Sequence, residues 1–558
     1  MGGLLLCLPM PSIIPAIERE TTMTETTSGA ESQPRWYVTT AIPYVNAKPH
    51  IGFALEIVLT DALARYHRLI GQDVWFLTGT DDNSLKNVRA AENEGMTPQA
   101  FVDRNAQEFQ ALRGALNLSF DDFIRTSADQ RHPAGVRKLW EACAASGDIY
   151  TQPYRGLYCV GCEQFYTEDE LVDGLCPEHH TPPEVVEEEN YFFRLSRYQQ
   201  QLLDLIESDR LRIVPQTRRN EVLSFIRRGL EDFSISRSQA RAHGWGVPVP
   251  GDPGQVMYVW FDALGNYITA LGYADDGPLY EKYWVQNPQR THVIGKGIVR
   301  FHAVYWPAML LSAGVPLPTT IFVHGYVTVE GAKISKSLGN VVDPVTLAER
   351  YGADALRYYL LRAIPATEDG DFSLERFIRT YNSDLADRLG NLLNRTVSMI
   401  GRYFGGEVPA PGAVETVDQA LIATANGLAA RVDAAMERFA PHEALAAIWE
   451  LVDAANKYVE ETAPWTLAKR RTSGLDVERM GMRLATVLYH LAEALRLVAH
   501  YAAPFIPEAA AGIAAQLGIT LDTSGEWERT ARWGGYPAGT QVRPGGVLFP
   551  KLELPVEN

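Results

Sequence analysis

Between Trp36 and Tyr66 the hydrophobic pattern changes period once, and that change limits what the chain can fold into. Trp36, Tyr37, Val38, Thr39 and Thr40 are aromatic or β-branched, the make-up of a buried strand. Pro43, Asn46 and Pro49 then break extended pairing and force a turn. From Ile51 onward the apolar positions Leu55, Val58 or Leu59, Ala62 and Tyr66 recur at helical spacing. Strand, tight turn and helix in immediate succession open an α/β unit. They put His50-Ile51-Gly52 at a helix N-terminus, where unpaired N–H groups and the positive end of the dipole suit a phosphate. Gly52 leaves room for a nucleotide close to the backbone. His50 is able to donate to a phosphate oxygen, although a histidine at a helix start is more often a cap or a surface residue.

The alternation continues. Asp73 to Asp82 reads as a second buried strand ending in a polar loop, and helical patterns follow at Phe101 to Leu118 and Arg137 to Cys143. This is the first half of a doubly wound, parallel, Rossmann-like domain. In such folds ligands bind beyond the carboxyl ends of the strands, which is where Tyr44 and Asp81 fall. Thr291 to Lys296 reads as strand and turn, Ile298 to Pro307 as the next helix, and Ile321 to Tyr326 as the last strand. That strand delivers Gly331 to Asn340, a glycine-flanked loop carrying Lys333, Ser335, Lys336 and Ser337. Two lysines so placed suit the charge that develops when a phosphoryl bond breaks. Strand order sets this loop beside His50.

Tyr154 to Arg194 interrupts the rhythm with Cys159-Val160-Gly161-Cys162 and Cys176-Pro177-Glu178-His179. Two such knuckles surround one tetrahedral zinc, and with all four positions filled by protein the metal is structural. The two-residue gap favours His179 over His180 as fourth ligand. Five cysteines in 558 residues make no disulfide scaffold and fit a reducing, cytoplasmic setting. No apolar run is long enough to span a membrane. The formal charge of −17 argues against indiscriminate nucleic-acid binding but leaves room for local basic patches. From Leu374 to His500 the pattern is helical throughout. Leu385/Leu389/Leu392/Thr396, Leu445/Ile448/Leu451/Ala455/Tyr458 and Leu484/Leu488/Leu491/Leu495/Val498 form three stripes, which predict an α-helical bundle. Asn391 and Arg395 share a helix face and Trp465 follows another helix. An amide, a guanidinium and an indole are groups that read unstacked bases.

The stretch around His50 and the lysine loop together resemble the paired signature motifs of class I aminoacyl-tRNA synthetases. The order of features from Arg35 to Glu557 resembles the methionyl-tRNA synthetase family. The resemblance implies a methionine–tRNA ligase: ATP and L-methionine give methionyl adenylate, and the methionyl group passes to the 3′ adenosine of tRNA(Met). It implies His50, Lys333 and Lys336 as catalytic residues, with His50, Gly52, Lys333, Ser335 and Lys336 on ATP and Mg²⁺ arriving with the nucleotide. It further implies Ile42, Tyr44, Asp81, Arg237, Trp260, Ala263, Leu264, Tyr267 and His302 around methionine. One structural zinc would sit on Cys159, Cys162, Cys176 and His179, and the anticodon would be read by Asn391, Arg395 and Trp465. Without the resemblance, the stripe Trp260/Ala263/Leu264/Tyr267 reads as ordinary core.

The implied organisation is a disordered extension (1–33), a split catalytic domain (34–150 and 255–345), a connective insertion (151–254), a stem-contact linker (346–380) and an anticodon-binding bundle (381–558). The chain ends at Leu548 to Leu552, where the family's bundle closes, which implies a monomer. Three positions depart from the family pattern: Phe53 in place of the second signature histidine, Asn83-Ser84 in place of His-Gly, and Gly297 where aspartate is common. They read as one coordinated remodelling of the nucleotide end. Two alternatives stay open: a paralogue that makes an aminoacyl adenylate without tRNA, and a non-catalytic RNA-binding protein.

Overall fold

The computed structural model describes residues 33–162, 164–334, 339–472, 476–522 and 531–554. Its centre is a six-stranded, wholly parallel sheet. The strands are β1 (Arg35–Thr40), β2 (Asp73–Thr80), β3 (Asp122–Arg125), β4 (Arg212–Val214), β5 (Arg290–Gly295) and β6 (Thr320–His324), in the order β3-β2-β1-β5-β6-β4. Helices cover both faces, which is why β1 and β5 read as nearly unbroken buried runs rather than alternating ones. The strand order reverses between β1 and β5, and the crevice at their carboxyl ends is where such sheets take ligands. The doubly wound expectation therefore holds.

Residues 151–254, read as an insertion, are not wholly outside the catalytic sheet. β4 comes from within them and pairs with β6, Ile213 opposite Ile321. The rest forms a long hairpin, Ile149–Cys159 against Glu184–Phe193, carrying the Cys/His segment at its tip. A small sheet (Ser236–Ser238, Pro248–Val249, Asp252–Met257) then leads into the short helix Val259–Leu264. The expected extension, through residue 32, lies outside the described residues.

The first helix, α1 (Ile51–Leu69), is buried along most of its length between the sheet and the C-terminal half. That half contains α2 (Ala353–Arg362), α3 (Asn391–Phe404), α4 (Pro441–Thr462), α5 (Pro464–Arg470) and α6 (Val477–Ala502). All three predicted stripes are core: every residue in them is buried. Burying these leucines at about 2 kcal/mol each is what holds the bundle, since helix propensity alone is weak. The joint between halves is apolar over most of its extent, one continuous core running from Ile51, Leu55 and Val58 to Leu356 and Tyr359, with a buried ion pair set into it. Arg357 on α2, fully buried, pairs with Asp61 on α1 at 2.7 Å and donates to the carbonyls of Leu116, Pro504 and Phe505 at 2.9–3.2 Å. Among the described residues no helix is long and apolar enough to cross a membrane.

Candidate active site

A cavity of about 660 Å³ opens at the carboxyl ends of the strands. The turn after β1 supplies Ile42 and Tyr44, the end of β2 supplies Asp81, the turn after β5 supplies Gly297, and β6 supplies His324. The lysine hairpin supplies Lys333, and the helix Val259–Leu264 with its continuation supplies Trp260, Ala263, Leu264 and Tyr267. The geometry thus brings together His50, Gly52, Lys333, Ile42, Tyr44, Asp81, Trp260, Ala263, Leu264, Tyr267 and His302. Ser335 and Lys336 lie outside the described residues.

At the nucleotide end His50 is indeed the N-cap of α1: its Nδ1 accepts from the Gly52 amide at 3.1 Å. That bond fixes the ring as the neutral Nε2–H tautomer, and burial holds it below the usual imidazole range. The cap therefore does not compete with donation; it sets which nitrogen donates. A Cβ on Gly52 would sit 2.9 Å from His50 Cε1, so the glycine is required first by the histidine and only second by an incoming nucleotide. Phe53 packs edge-to-face on Phe109, ring centres 5.3 Å apart, within the apolar cluster around Phe101 and Val102. Gly297 faces the Tyr326 hydroxyl, 2.1 Å from where its Cβ would be, so with this tyrosine in place no aspartate fits. Lys333 Nζ lies 3.4 Å from the Glu178 carboxylate at the tip of the Cys/His segment, and both side chains are exposed.

At the other end the histidine and tyrosine groups are paired, whereas the buried Trp260 Nε1 and Asn266 Oδ1 on the same wall have no hydrogen-bond partner. His302 Nδ1 donates to the Ile298 carbonyl at 2.9 Å, which leaves Nε2 to accept the Tyr267 hydroxyl at 2.6 Å. Burial pushes His302 down to about 4, so it is neutral at physiological pH. Behind it His292 accepts the Trp306 indole N–H at 3.2 Å and meets Thr39 at 2.9 Å. Trp260 stacks flat on Phe301 at 3.7 Å. An aromatic wall whose Tyr267 and His302 are already paired with each other favours a polarisable apolar side chain such as a thioether.

Asn83 does not line the cavity with Phe53 and Gly297, so the three departures are not one remodelled surface. Its Nδ2 donates to the buried Asp262 at 2.8 Å, and Ser84 instead caps the helix Leu85–Asn93. Arg237 lies outside the cavity as well. It is buried among Tyr258, Phe165 and Tyr158, 4.2–5.3 Å from the ring centres, and donates to Ser234 and the Ser236 carbonyl. The guanidinium lies over the rings of Tyr158 and Phe165 within the insertion and over Tyr258 just beyond it, and so joins the insertion to the catalytic half through Tyr258.

Several polar groups at the cavity had no sequence expectation, Asn266, Tyr326, Asp369 and Glu56 among them. Glu56 accepts from the Ala41 amide at 2.9 Å with one oxygen and meets His324 at 2.8 Å with the other, tying the turn after β1 to β6. Its only signal was a lone acid inside the apolar turn Leu55-Glu56-Ile57-Val58 of α1.

The ligand atoms of Cys159, Cys162, Cys176 and His179 lie within 4.8 Å of one another. Gly161 makes this possible, since a Cβ there would be 2.5 Å from the His179 ring. His180 takes a left-handed turn conformation immediately after. On the bundle, Arg395 on α3 lies over the half-exposed Trp465 ring of α5 at 5.6 Å and pairs with Glu460 at 2.8 Å. Asn391 is exposed at the start of α3.

A helix start with a histidine, a lysine hairpin and a reversed parallel sheet define a class I aminoacyl-tRNA synthetase. The family model "tRNA synthetases class I (M)" matches residues 36–182 and 179–397, and the model "Anticodon binding domain of methionyl tRNA ligase" matches 408–555. The methionine–tRNA ligase of Caldanaerobacter subterraneus subsp. tengcongensis is 47% identical over 523 residues, 94% of this chain and 80% of the relative. That of Brucella suis biovar 1 is 48% identical over 495 residues, 88% and 93% respectively. The Mycobacterium tuberculosis methionyl-tRNA synthetase in complex with methionyl-adenylate superposes with a TM-score of 0.87 at 45% identity, over 93% of this chain and all of that one. Within class I, the chain belongs to the methionyl-tRNA synthetase family.

Proposed function

We propose that this chain charges tRNA(Met): it activates L-methionine with ATP to methionyl-AMP and transfers the methionyl group to the tRNA's 3′ adenosine. The observation that carries this reading is the single cavity lined at one end by His50 and Lys333 and at the other by Trp260, Tyr267 and His302, in a chain of this family.

In the adenylation step the methionine carboxylate attacks the α-phosphate and pyrophosphate leaves. The protein's part is positioning and charge stabilisation. The neutral Nε2–H of His50 donates to phosphate. Lys333, with Lys336 and Ser335 of the same loop, meets the charge on the pentavalent phosphorus and the departing pyrophosphate. Mg²⁺ accompanies ATP. Asp81 holds the methionine ammonium, and Ile42, Tyr44, Trp260, Ala263, Leu264, Tyr267 and His302 surround the side chain. Arg237 acts at a distance, by holding the hairpin. Cys159, Cys162, Cys176 and His179 suit a zinc by donor type and spacing, and the metal would supply a rigid cross-link at the hairpin tip. Asn391, Arg395 and Trp465 face an anticodon, the indole for stacking and the other two for hydrogen bonds. The unit is 34–345 with its insertion, a linker through 380, and a bundle to the end; we infer a monomer.

Methionine-dependent ATP–pyrophosphate exchange tests it, with norleucine, cysteine and leucine as controls, followed by charging of tRNA(Met). Exchange with methionine far above the controls is expected. Folded, zinc-loaded protein that exchanges with none of them refutes the reading.

A further inference from the structure

Asn83 touches two subsites without reaching the cavity. Its backbone N–H lies 3.3 Å from Asp81 Oδ1, the carboxylate at the cavity. Its side-chain amide donates to Asp262 Oδ2 at 2.8 Å and lies 3.4 Å from the Thr126 carbonyl. Asp262 sits in the helix Val259–Leu264, between Trp260 on one side and Ala263 and Leu264 on the other, all three on the cavity wall. The other oxygen of Asp262 meets His132 Nε2 at 2.9 Å, and His132 Nδ1 meets Thr269 Oγ1 at 2.9 Å. Asp262 and His132 are buried to 1% exposure or less. The loop bearing Asn83 is itself pinned: Trp245 Nε1 donates to the Asp82 carbonyl at 2.8 Å, and Asn87 Nδ2 to the Asp81 and Asp82 carbonyls at 2.9 and 3.0 Å.

We propose that Asn83, through Asp262, is a positioning residue that sets the distance between the ammonium subsite at Asp81 and the side-chain wall at Trp260 and Leu264. The pairing works by elementary chemistry. A buried carboxylate needs a donor on each oxygen, and a donor on a rigid neighbouring loop fixes the helix that carries the carboxylate. The separation so fixed is the ruler against which an amino-acid side chain is measured. An apolar pocket by itself separates substrates that differ by a methylene only weakly, so selectivity rests on holding the two ends in register. This inference rests on the reading of the cavity given above.

Pyrophosphate exchange by wild type, Asn83→Ala and Asn83→His decides it, with KM measured separately for methionine and ATP and with norleucine as competitor. Asn83→Ala is expected to raise the methionine KM about ten-fold, the loss of a hydrogen bond to a charged group. The ATP KM should stay within two-fold, and the preference for methionine over norleucine should shrink. Asn83→His, which keeps a donor toward Asp262, should restore most of the methionine KM. A variant whose methionine and ATP constants rise in parallel, or whose methionine KM and selectivity match wild type, overturns the proposal. Wild type inactive with methionine would instead overturn the reading of the cavity.

Discussion

Replacing Arg357 by methionine tests the joint between the catalytic sheet and the bundle. Arg357 and Asp61 both have fully buried side chains, 2.7 Å apart. Asp61 also accepts from Arg65 Nε at 2.8 Å and from the Ser119 amide and hydroxyl at 2.6 and 2.7 Å. Burial pushes the Asp61 carboxyl up, but Arg357, Arg65 and Ser119 outweigh it and hold it below the ordinary carboxylate value. A group depressed in the folded state adds stability above its unfolded pKa and loses it as pH falls toward the folded one. Arg357→Met leaves that carboxylate partly unpaired and strips donors from the Leu116, Pro504 and Phe505 carbonyls. Breaking a buried pair in this way costs about 3–5 kcal/mol. At about 0.9 °C per kcal/mol for a cooperative chain of 558 residues, the melting midpoint should fall by roughly 3–4 °C. The loss should be greatest near pH 7–8 and shrink in acid, where the orphaned Asp61 can take a proton. Arg357→Lys keeps the charge without the fork that reaches three carbonyls, and should fall between. Because α1 begins at His50 and α2 leads to the bundle, tRNA charging should drop more than pyrophosphate exchange. Calorimetry at several pH values, with both assays, reads all of this. An unchanged midpoint, a loss independent of pH, or charging and exchange falling in step would refute the reasoning.

Three further perturbations follow from single contacts. Gly297→Ala puts a Cβ 2.1 Å from the Tyr326 hydroxyl, so ATP KM should rise by the five-fold or more that about 1–3 kcal/mol of overpacking implies; adding Tyr326→Phe, which leaves the next atom at 3.4 Å, should relieve it, and no relief in exchange kinetics would disprove the clash. Cys162→Ser should lower bound zinc, measured by elemental analysis, from one equivalent to well below one and loosen the hairpin to proteolysis, whereas full occupancy would show that the four ligands are not the site. Asp354, which accepts the Ala509 amide at 2.6 Å, is pushed up to about 6 by burial. Its folded pKa lies above the unfolded one, so its stabilising, protonated form is lost as pH rises from about 4 to about 6. Asp354→Asn should therefore stabilise the protein at pH 7.5 by up to about 3 kcal/mol and not at pH 4, as followed by thermal melts.

What could be read without coordinates was whatever local periodicity or ligand spacing dictates. The strand–turn–helix at Trp36–Tyr66, the knuckle spacing and the three leucine stripes each encode their geometry within a few turns of chain. The stripe Trp260/Ala263/Leu264/Tyr267 was legible as one face, but periodicity alone read that face as ordinary core; it lines the cavity. Contacts made across the fold left no such trace. Glu56 bridges β6 and the turn after β1, Arg357 reaches carbonyls more than a hundred residues away, and β4 crosses from the insertion into the catalytic sheet. Arg237 carried the family's segment but not a cavity position, because two of the rings that enclose it, Tyr158 and Phe165, come from a hairpin some seventy residues earlier and the third, Tyr258, from just after the small sheet.

The departures divide along the same line. Phe53 is an apolar residue at a helix start, and its partner Phe109 stands on a helix of the same half, so its cost is confined to one donor missing from the nucleotide end. His50 keeps the Nε2–H that matters there, since the Gly52 amide already occupies Nδ1. Gly297 and Tyr326 exclude a larger residue jointly, and Asn83 answers to Asp262 rather than to the nucleotide. Restoring histidine at position 53 therefore has no reason to correct the other two. Phe53→His should change ATP affinity alone, and by no more than one phosphate hydrogen bond, a factor of about ten; a change in methionine KM of the same size would mean that the two ends of the cavity are coupled through α1 after all.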